Sequence, residues 1–554
     1  MILLKDKDIN NYFLEYVGTL QDKFKVIMTL GDYRDTVKRI NTNKWIVPKE
    51  VGDLLQKDYE VEKVVSSWAD IGNTLKYMPY EYQKETVYFG ANQENGLLLL
   101  PTGAGKSMIA IALYNELKLS NKLSTPGIIV VPASLKYQWV KEVSKFSDLV
   151  AHAIDTPSKA GKKKFDLQFE DCDLFICNYE TLKNKAVADK LKSLKCEFIL
   201  GDEIQRINNY KSGIHKAICQ FNDLKFRYGM TATPITNNPE NVFGIFNFIF
   251  PKLFKTHGKF ASNYIIYKGY GRVAGAKNVE HLKSQINPYI FMKTEDDISD
   301  QLPELIITPV YCTMSNKTKK INDEIMRDLK IAQDAVSSIE ERITNPNELE
   351  HNKEYLQWKA KVMAYQTFAQ ELADDPRLLS MSESKMSNSY NTEGLDSPKL
   401  EVLKELVSNV IEADETVCIF TKYERMQRLL INELQAEFKD IGIAYVNGSM
   451  TPEERYEQAY TLFQNDDRYK VLIMTSAGEA GVSLSKCKNL IEYDLSDSYA
   501  GQTQRHGRVK RADSVSKVSY VQQIILDESY DCIQKRIIDK KQKYDLDIIK
   551  SLKN

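Results

Sequence analysis

Four consecutive leucines, Leu97–Leu100, run directly into Pro101-Thr102-Gly103-Ala104-Gly105-Lys106-Ser107, and an apolar helical stretch from Met108 to Leu113 follows at once. A buried strand, a small-residue loop and a helix N-terminus in immediate succession restrict the fold more than any other segment of the chain. Such a unit belongs in a parallel sheet covered by helices. It also points to chemistry. Small residues let backbone N–H groups approach a phosphate, Lys106 supplies a compact charge for β/γ oxygens, and Ser107 offers a hydroxyl to Mg²⁺. The strict pattern asks for glycine at position 100, where Leu100 stands. The same residues would also serve as a plain turn between strand and helix, so the loop alone leaves both readings open.

The rest of the chain narrows the choice. Its 554 residues exceed one hydrophobic core and suggest roughly three or four domains. Lys and Arg total 75 against 76 Asp and Glu, so no global basic field advertises nucleic acid and any such contact must come from local patches. The eight cysteines form no CxxC pair and no His/Cys cluster, the pattern of reduced buried thiols rather than zinc ligands or disulfides. The longest apolar run, near Phe243–Phe250, is far too short to cross a bilayer, and no leader-like segment opens the chain. A soluble intracellular protein is the expectation.

Hydrophobic patterning divides the chain into two α/β blocks with helical insertions. Residues 1–75 form a small N-terminal accessory domain of mixed short pieces, with Trp45-Ile46-Val47-Pro48 as a strand. Within residues 76–300, Ile128–Val131, Leu174–Cys177 and Phe198–Leu200 read as parallel strands before polar loops, and 238–300 as an aromatic-rich helical insertion. Residues 301–395 are read as a charged helical protrusion that ends in a Ser/Asn-rich loop, Met381–Pro398. The second block, 396–528, has strands at Val417–Phe420, Ala444–Val446 and Val471–Met474, and 529–554 is a charged C-terminal helix.

Two further constellations carry chemistry. Asp202 and Glu203 follow the apolar run Phe198–Leu200, where one acid could hold Mg²⁺ through its water shell and the other could orient the attacking water. Alone, such a pair is usually a solvated helix start. Arg508 and Arg511, three apart, share a face if helical and could clamp the developing charge on a γ-phosphate; the competing reading is a solvated basic patch. His506, two residues before Arg508, reads as structural or exposed.

In order, these motifs resemble the superfamily 2 helicase-type motors, and specifically the Swi/Snf-type DNA-dependent ATPases, over about residues 76–545. Tyr80-Glu81-Tyr82-Gln83 resembles the glutamine motif, Pro132-Ala133-Ser134-Leu135-Lys136 with Trp139 motif Ia, and Asn178-Tyr179-Glu180 motif Ib. Asp202–Asn209 followed by Lys211-Ser212 resembles motif II, Thr231–Asn238 motif III, and Phe246–Pro251 the stretch beyond it. Ser397-Pro398-Lys399-Leu400, Thr475–Leu484 and Gln504–Arg511 resemble the later family blocks.

The resemblance implies two RecA-like parallel-sheet lobes with ATP and Mg²⁺ held between them. Gln83, Thr102, Gly103, Ala104, Gly105, Lys106, Ser107 and Gln504 would bind nucleotide, and Ser107 and Asp202 the metal. Lys106, Asp202, Glu203, Gln205, Arg508 and Arg511 would be catalytic. Ser134, Lys136, Trp139, Asn178, Tyr179, Thr475 and Ser476 would contact DNA. The implied activity is translocation on double-stranded or branched DNA, by a monomer with room for a recruiting protein partner and no membrane. A strand-separating helicase and a non-enzymatic nucleic-acid scaffold remain alternatives. Three positions depart from the family pattern: Gln205 replaces histidine, Ser483 asparagine and Gly507 an acidic residue.

Overall fold

A computed structural model describes residues 75–155, 172–232, 239–268, 272–343, 345–382, 384–475, 484–511 and 514–553. It also describes 2–6, 11–16, 38–39, 44–48 and 61–64, together with Leu30 and Val51, nearer the N-terminus. The chain divides into two compact units, Met1–Ile265 with Ala276–Ile298, and Ile266–Gly275 with Ser299–Asn554.

The first unit begins with a mixed five-stranded sheet, β1 (Ile2–Asp6), β2 (Asn11–Tyr16), β3 (Lys38–Arg39), β4 (Lys44–Pro48) and β5 (Val61–Val64), in the order β3-β4-β2-β1-β5. The strand expected at Trp45–Pro48 is β4, paired antiparallel with β2 and β3. The main sheet comprises β6 (Asn95–Leu99), β7 (Gly127–Val131), β8 (Ala151–Ala153), β9 (Leu174–Asn178), β10 (Phe198–Asp202) and β11 (Phe226–Thr231). After a short hairpin, β12 (Ile265–Lys268) and β13 (Arg272–Ala276), it is completed by β14 (Ile290–Met292).

Its order is β14-β6-β11-β10-β7-β9-β8, and every pairing is parallel. All five residues of β7 and of β10 are buried, as expected of strands covered by helices on both faces. The segment 238–300 is helical at Pro239–Ile249, Pro251–Phe254, His257–Tyr264 and Val279–Ile286, but it ends by supplying β14 to the sheet.

The second unit holds a six-stranded sheet of β15 (Glu304–Cys312), β16 (Val417–Phe420), β17 (Gly442–Val446), β18 (Tyr469–Met474), β19 (Asn489–Glu492) and β20 (Val518–Leu526). Its order is β15-β20-β19-β16-β18-β17, again all parallel. The expectation of an α/β fold with two parallel-sheet lobes is therefore met. One boundary differs. β15 lies inside the stretch read as a purely helical protrusion, yet it forms the sheet edge along the whole of β20. Its alternating pattern is weak because most of its residues are exposed.

The protrusion proper is a pair of long helices, Asn316–Arg342 and Lys353–Asp374, capped by Ser315 and Asn352, whose side chains accept the Thr318 and Tyr355 N–H groups. Ile325, Phe368, Ala369 and Leu372 form the buried seam beneath them. The C-terminal helix spans Tyr530–Lys553.

Candidate active site

In open parallel sheets, ligand loops collect at the C-terminal ends of the strands where the strand order reverses. In the first unit β6, β11 and β10 are neighbours, and their C-terminal ends carry the glycine loop, Thr231 and Asp202. The Leu100 N–H donates to the Thr231 carbonyl at 3.0 Å, which ties the start of the loop to the next strand. Gly105 then adopts φ +71°, a left-handed conformation that favours glycine, and starts the helix Lys106–Leu119. A Cβ at this position would lie 2.6 Å from the Gln83 amide nitrogen, so a larger residue would have to displace that side chain as well as adopt the strained φ.

Gln83 is buried and fully engaged with the loop. Its Nε2 donates to the Ala104 carbonyl at 3.1 Å, beside the Tyr82 hydroxyl at 2.9 Å, while its Oε1 accepts the Tyr80 N–H at 2.9 Å. Lys106 lies along the inside of the loop with its Nζ donating to the Pro101 carbonyl at 3.3 Å. Thr102, Gly103 and Ser107 complete the cradle and are only half-buried.

Asp202 ends β10 and is buried, with Oδ2 accepting the Trp139 indole N–H at 3.1 Å and Oδ1 accepting the Glu203 N–H at 3.0 Å. Burial, and next the adjacent Glu203, push its carboxyl up to about 7, against the pull of nearby Lys106 and of the Trp139 hydrogen bond. Lys106 is therefore within electrostatic reach of Asp202. Glu203 sits at φ +50°, which turns the chain sharply out of the strand. Gln205 donates to Glu203 Oε2 at 2.6 Å, while its own Oε1 is buried with no partner among the described residues. Glutamine thus keeps a hydrogen bond to the second acid in place of the histidine of the family pattern.

The residues expected on DNA are placed differently from one another. Trp139 and Tyr179 are buried and turned inward. The Tyr179 hydroxyl donates to the Asp202 backbone carbonyl at 2.6 Å, so Trp139 holds the carboxylate and Tyr179 the backbone of the same residue instead of presenting a face to solvent. Lys136 is buried and paired with Asp155. Asn178 is half-buried at the end of β9 and bonds Glu180 at 3.3 Å. Ser134 lies in the short helical turn Ala133–Leu135. Thr475 is buried, and its N–H donates to the Val446 carbonyl. Ser476 and the rest of Ala477–Ser483, Thr233–Asn238 and the Trp45 side chain lie outside the described residues.

In the second unit the helix Tyr499–His506 ends at a turn through Gly507, so Arg508 and Arg511 lie beyond the helix and do not share a helical face. Arg508 Nε donates back to the Gln504 carbonyl at 3.2 Å. Sequence reasoning missed Arg505, which is almost wholly buried. It donates to the Asp494 carbonyl at 2.7 Å, lies 3.7 Å from Glu492 and stacks its guanidinium over Phe420. His506 bonds Glu492 Oε2 at 3.3 Å, a structural placement. His506 and Arg505, with hydrogen bonds from His506 and Gln523, overcome the burial of Glu492 and hold its carboxyl down at about 2.

Strand, glycine loop, helix and paired acids at the C-terminal ends of two strands that flank β11 define the class, an α/β domain of the phosphate-loop type. Residues 40–377 match the SNF2-related domain and residues 398–513 the helicase conserved C-terminal domain, and the chain belongs to the SNF2-related family of helicase-like ATPases. It is 23% identical over 459 residues to the TATA-binding protein-associated factor mot1 of Schizosaccharomyces pombe, covering 74% of this chain and 23% of that protein. It is 23% identical over 397 residues to the putative ATP-dependent helicase/translocase YwqA of Bacillus subtilis, covering 71% of this chain and 40% of that protein. The chain thus spans two fifths or less of the length of these curated relatives. A solved structure of the Sulfolobus solfataricus SWI2/SNF2 ATPase core in complex with dsDNA is similar at TM-score 0.39 and 23% identity, covering 82% of this chain and 89% of that one.

Proposed function

We propose that this protein is an ATP-dependent translocase on double-stranded DNA, coupling hydrolysis to the remodelling of DNA or DNA–protein complexes in replication, recombination or repair. The observation that carries the reading is the placement of the Lys106 loop and of Asp202 and Glu203 at the C-terminal ends of β6 and β10, the two strands that flank β11, with Lys106 within electrostatic reach of Asp202, in a chain of the SNF2-related family. The cradle fits a triphosphate. Gly105 turns the loop through a left-handed conformation against Gln83, and the N-terminus of a 14-residue helix follows at once.

Ser107 and Asp202 offer the hard oxygen ligands that Mg²⁺ prefers. No group of three or more His, Cys, Asp or Glu gathers as a metal site among the described residues, so most of the ion's ligands would come from nucleotide and water. When bound, Mg²⁺ would neutralise charge on the phosphate oxygens. Lys106 would bind the γ-phosphate, Glu203 would orient the attacking water, and Gln205 would hold Glu203 in place. Arg508 and Arg511 would stabilise the charge that develops on the transferred phosphoryl group. Asn178, Ser134 and the Thr475–Ser476 segment are the proposed tracks for the DNA backbone, which would give little sequence preference. The sheet of β1–β5 is proposed as an accessory module for branched DNA, and the helix Tyr530–Lys553 as a brace.

The decisive experiment measures ATP hydrolysis with and without duplex, forked and single-stranded DNA. Stimulation by duplex DNA that is lost in Lys106→Ala is the expected result; a wild-type protein indifferent to DNA would sink the translocase reading. Gly507, in place of an acidic residue, makes the arginine segment resemble that of general superfamily 2 helicases, which favours strand separation as the second reading. Displacement of a strand from forked DNA or RNA at a rate matching hydrolysis would select it.

No helix is long and apolar enough to cross a membrane among the described residues. Action as a monomer in the cytoplasm of a bacterial or phage-infected cell, with a recruiting partner, belongs to the same proposal.

A further inference from the structure

Lys399 has no place in the function proposed above, yet it is the most thoroughly buried cation among the described residues. It is the second residue of the helix Pro398–Glu412, with no exposed surface at all. Two physical terms oppose that position. Burial disfavours an ammonium, and the positive end of a helix dipole repels it. Although burial works against its charge, Asp531 and then Asp374 hold Lys399 above the ordinary lysine range, so it stays charged. Its Nζ donates to Asp374 Oδ1 and to Asp531 Oδ2, both at 3.0 Å, and lies 5.1 Å from the centre of the Tyr493 ring.

Each partner ends a different element. Asp374 closes the long helix Lys353–Asp374, and Asp531 opens the C-terminal helix. Gln370 donates to both aspartates at 3.0 Å, and Asp531 accepts the Leu526 N–H at the end of β20. The Tyr493 hydroxyl donates to the Asp374 carbonyl at 2.7 Å.

The network continues toward the arginines. Asp494, next to Tyr493, lies within electrostatic reach of both Lys399 and Arg505. Its Oδ2 accepts the Thr421 hydroxyl and the Lys422 N–H, which fixes the carboxylate beyond the end of β16. Its backbone carbonyl accepts Arg505, in the last turn of the helix that leads into Arg508. On the other side, Gln534 of the C-terminal helix donates to the Leu495 and Ser496 carbonyls, and Ser498 caps the helix Tyr499–His506. A buried ion cluster kept only for stability has a ready substitute, because apolar residues of similar volume commonly do as well. What an apolar group cannot do is fix the direction of several carboxylates at once.

We propose that Lys399 is a positioning residue for the arginine segment: it locks the ends of two helices and β20 against Tyr493–Asp494, and so sets where Gln504–Arg511 points. The inference rests on the ATPase reading only for its kinetic consequence; its structural consequence stands alone.

The test uses the full chain with Lys399→Met and with the charge-balanced pair Lys399→Met/Asp531→Asn, which removes one buried charge of each sign. Hydrogen exchange is read across the second unit. In the folded pair variant the amides of Tyr499–Lys510 should lose about ten-fold or more of their protection, while β16 and β18 keep theirs. DNA-stimulated kcat should fall by about ten-fold or more with KM for ATP changed much less, since all the proposed nucleotide-binding residues but Gln504 lie in the first unit. Wild-type protection across Tyr499–Lys510 in the folded pair variant overturns the proposal whatever the rate. Failure of both variants to fold overturns it as well, because Lys399 is then a folding residue. A wild-type protein without DNA-stimulated hydrolysis would remove the proposed function while leaving the exchange measurement to decide this one.

Discussion

The two parallel sheets present their chemistry in opposite ways. In the first unit the glycine loop and the paired acids are shaped by backbone: a left-handed Gly105, a left-handed Glu203, carbonyls of Pro101 and Ala104 that accept side-chain donors, and aromatic rings behind Asp202. In the second unit the arginine segment is held by buried charge, with Arg505 and His506 on Glu492 and Lys399 between two aspartates. The fold of a backbone-built site tolerates changes of charge, whatever they do to its chemistry, and fails when a methyl group is added. A charge-built site fails when a proton is added or an ion is left alone.

The largest effect expected is on chemistry alone. Lys106→Ala should lower DNA-stimulated kcat by about 100-fold or more, because one preorganised cation leaves the phosphate site. Its melting temperature should stay close to wild type, since the Lys106 hydrogen bonds to the loop carbonyls of Leu100 and Pro101 are long, at 3.5 and 3.3 Å. Next comes the backbone. Gly244, in the helix Pro239–Ile249, would place a Cβ 2.1 Å from the Asn208 carbonyl oxygen just past the acidic pair. Gly244→Ala should therefore destabilise the first unit by about 3 kcal/mol or more in denaturant unfolding; a neutral substitution would show that this helix yields freely.

In the second unit the lever is pH. The Glu492 carboxyl is depressed from 4.5 to about 2 in the fold. Its contribution is thus fully present above 4.5 and is lost as pH falls from there through about 2. Wild type should lose melting temperature across that window more steeply than Glu492→Gln, and equal slopes would remove the charge-built half of the comparison. The smallest effect serves as the baseline. The exposed pair Lys470–Asp414, at 2.8 Å, sits in neither network, and Asp414→Asn should leave the melting temperature unchanged in a thermal scan.

What could be read from the sequence followed contiguity. The glycine loop and the acids announce themselves because strand, turn and functional side chain are adjacent in the chain, and β7 and the Val471–Met474 part of β18 are unbroken apolar runs. β11 escaped notice because Arg227 and Gly229 interrupt it, and β15 because its exposed residues blur any alternation.

The support for the site was out of reach for a related reason. Trp139 and Asp202 meet across 63 positions, and Lys399 and Asp531 across 132, so nothing local marks either pair. Trp139, Tyr179 and Lys136 look from the sequence like a surface for DNA. Packing turns them inward, two of them onto Asp202 and Lys136 into its ion pair with Asp155.

The edges of both sheets carry a consequence for how the chain is made. β14, beside β6 in the first unit, is contributed only after the hairpin and helices that follow β11. In the second unit β15 is synthesised before every other strand of its sheet, yet its neighbour is β20, the last of them. As the chain leaves the ribosome, β15 must therefore wait with one edge unsatisfied until nearly the whole second unit has emerged. Closing so long a loop is an entropic cost met late, and an open strand edge in the meantime is a template for association. The nascent chain should be most exposed to aggregation, and most dependent on a chaperone, in the interval between those two strands.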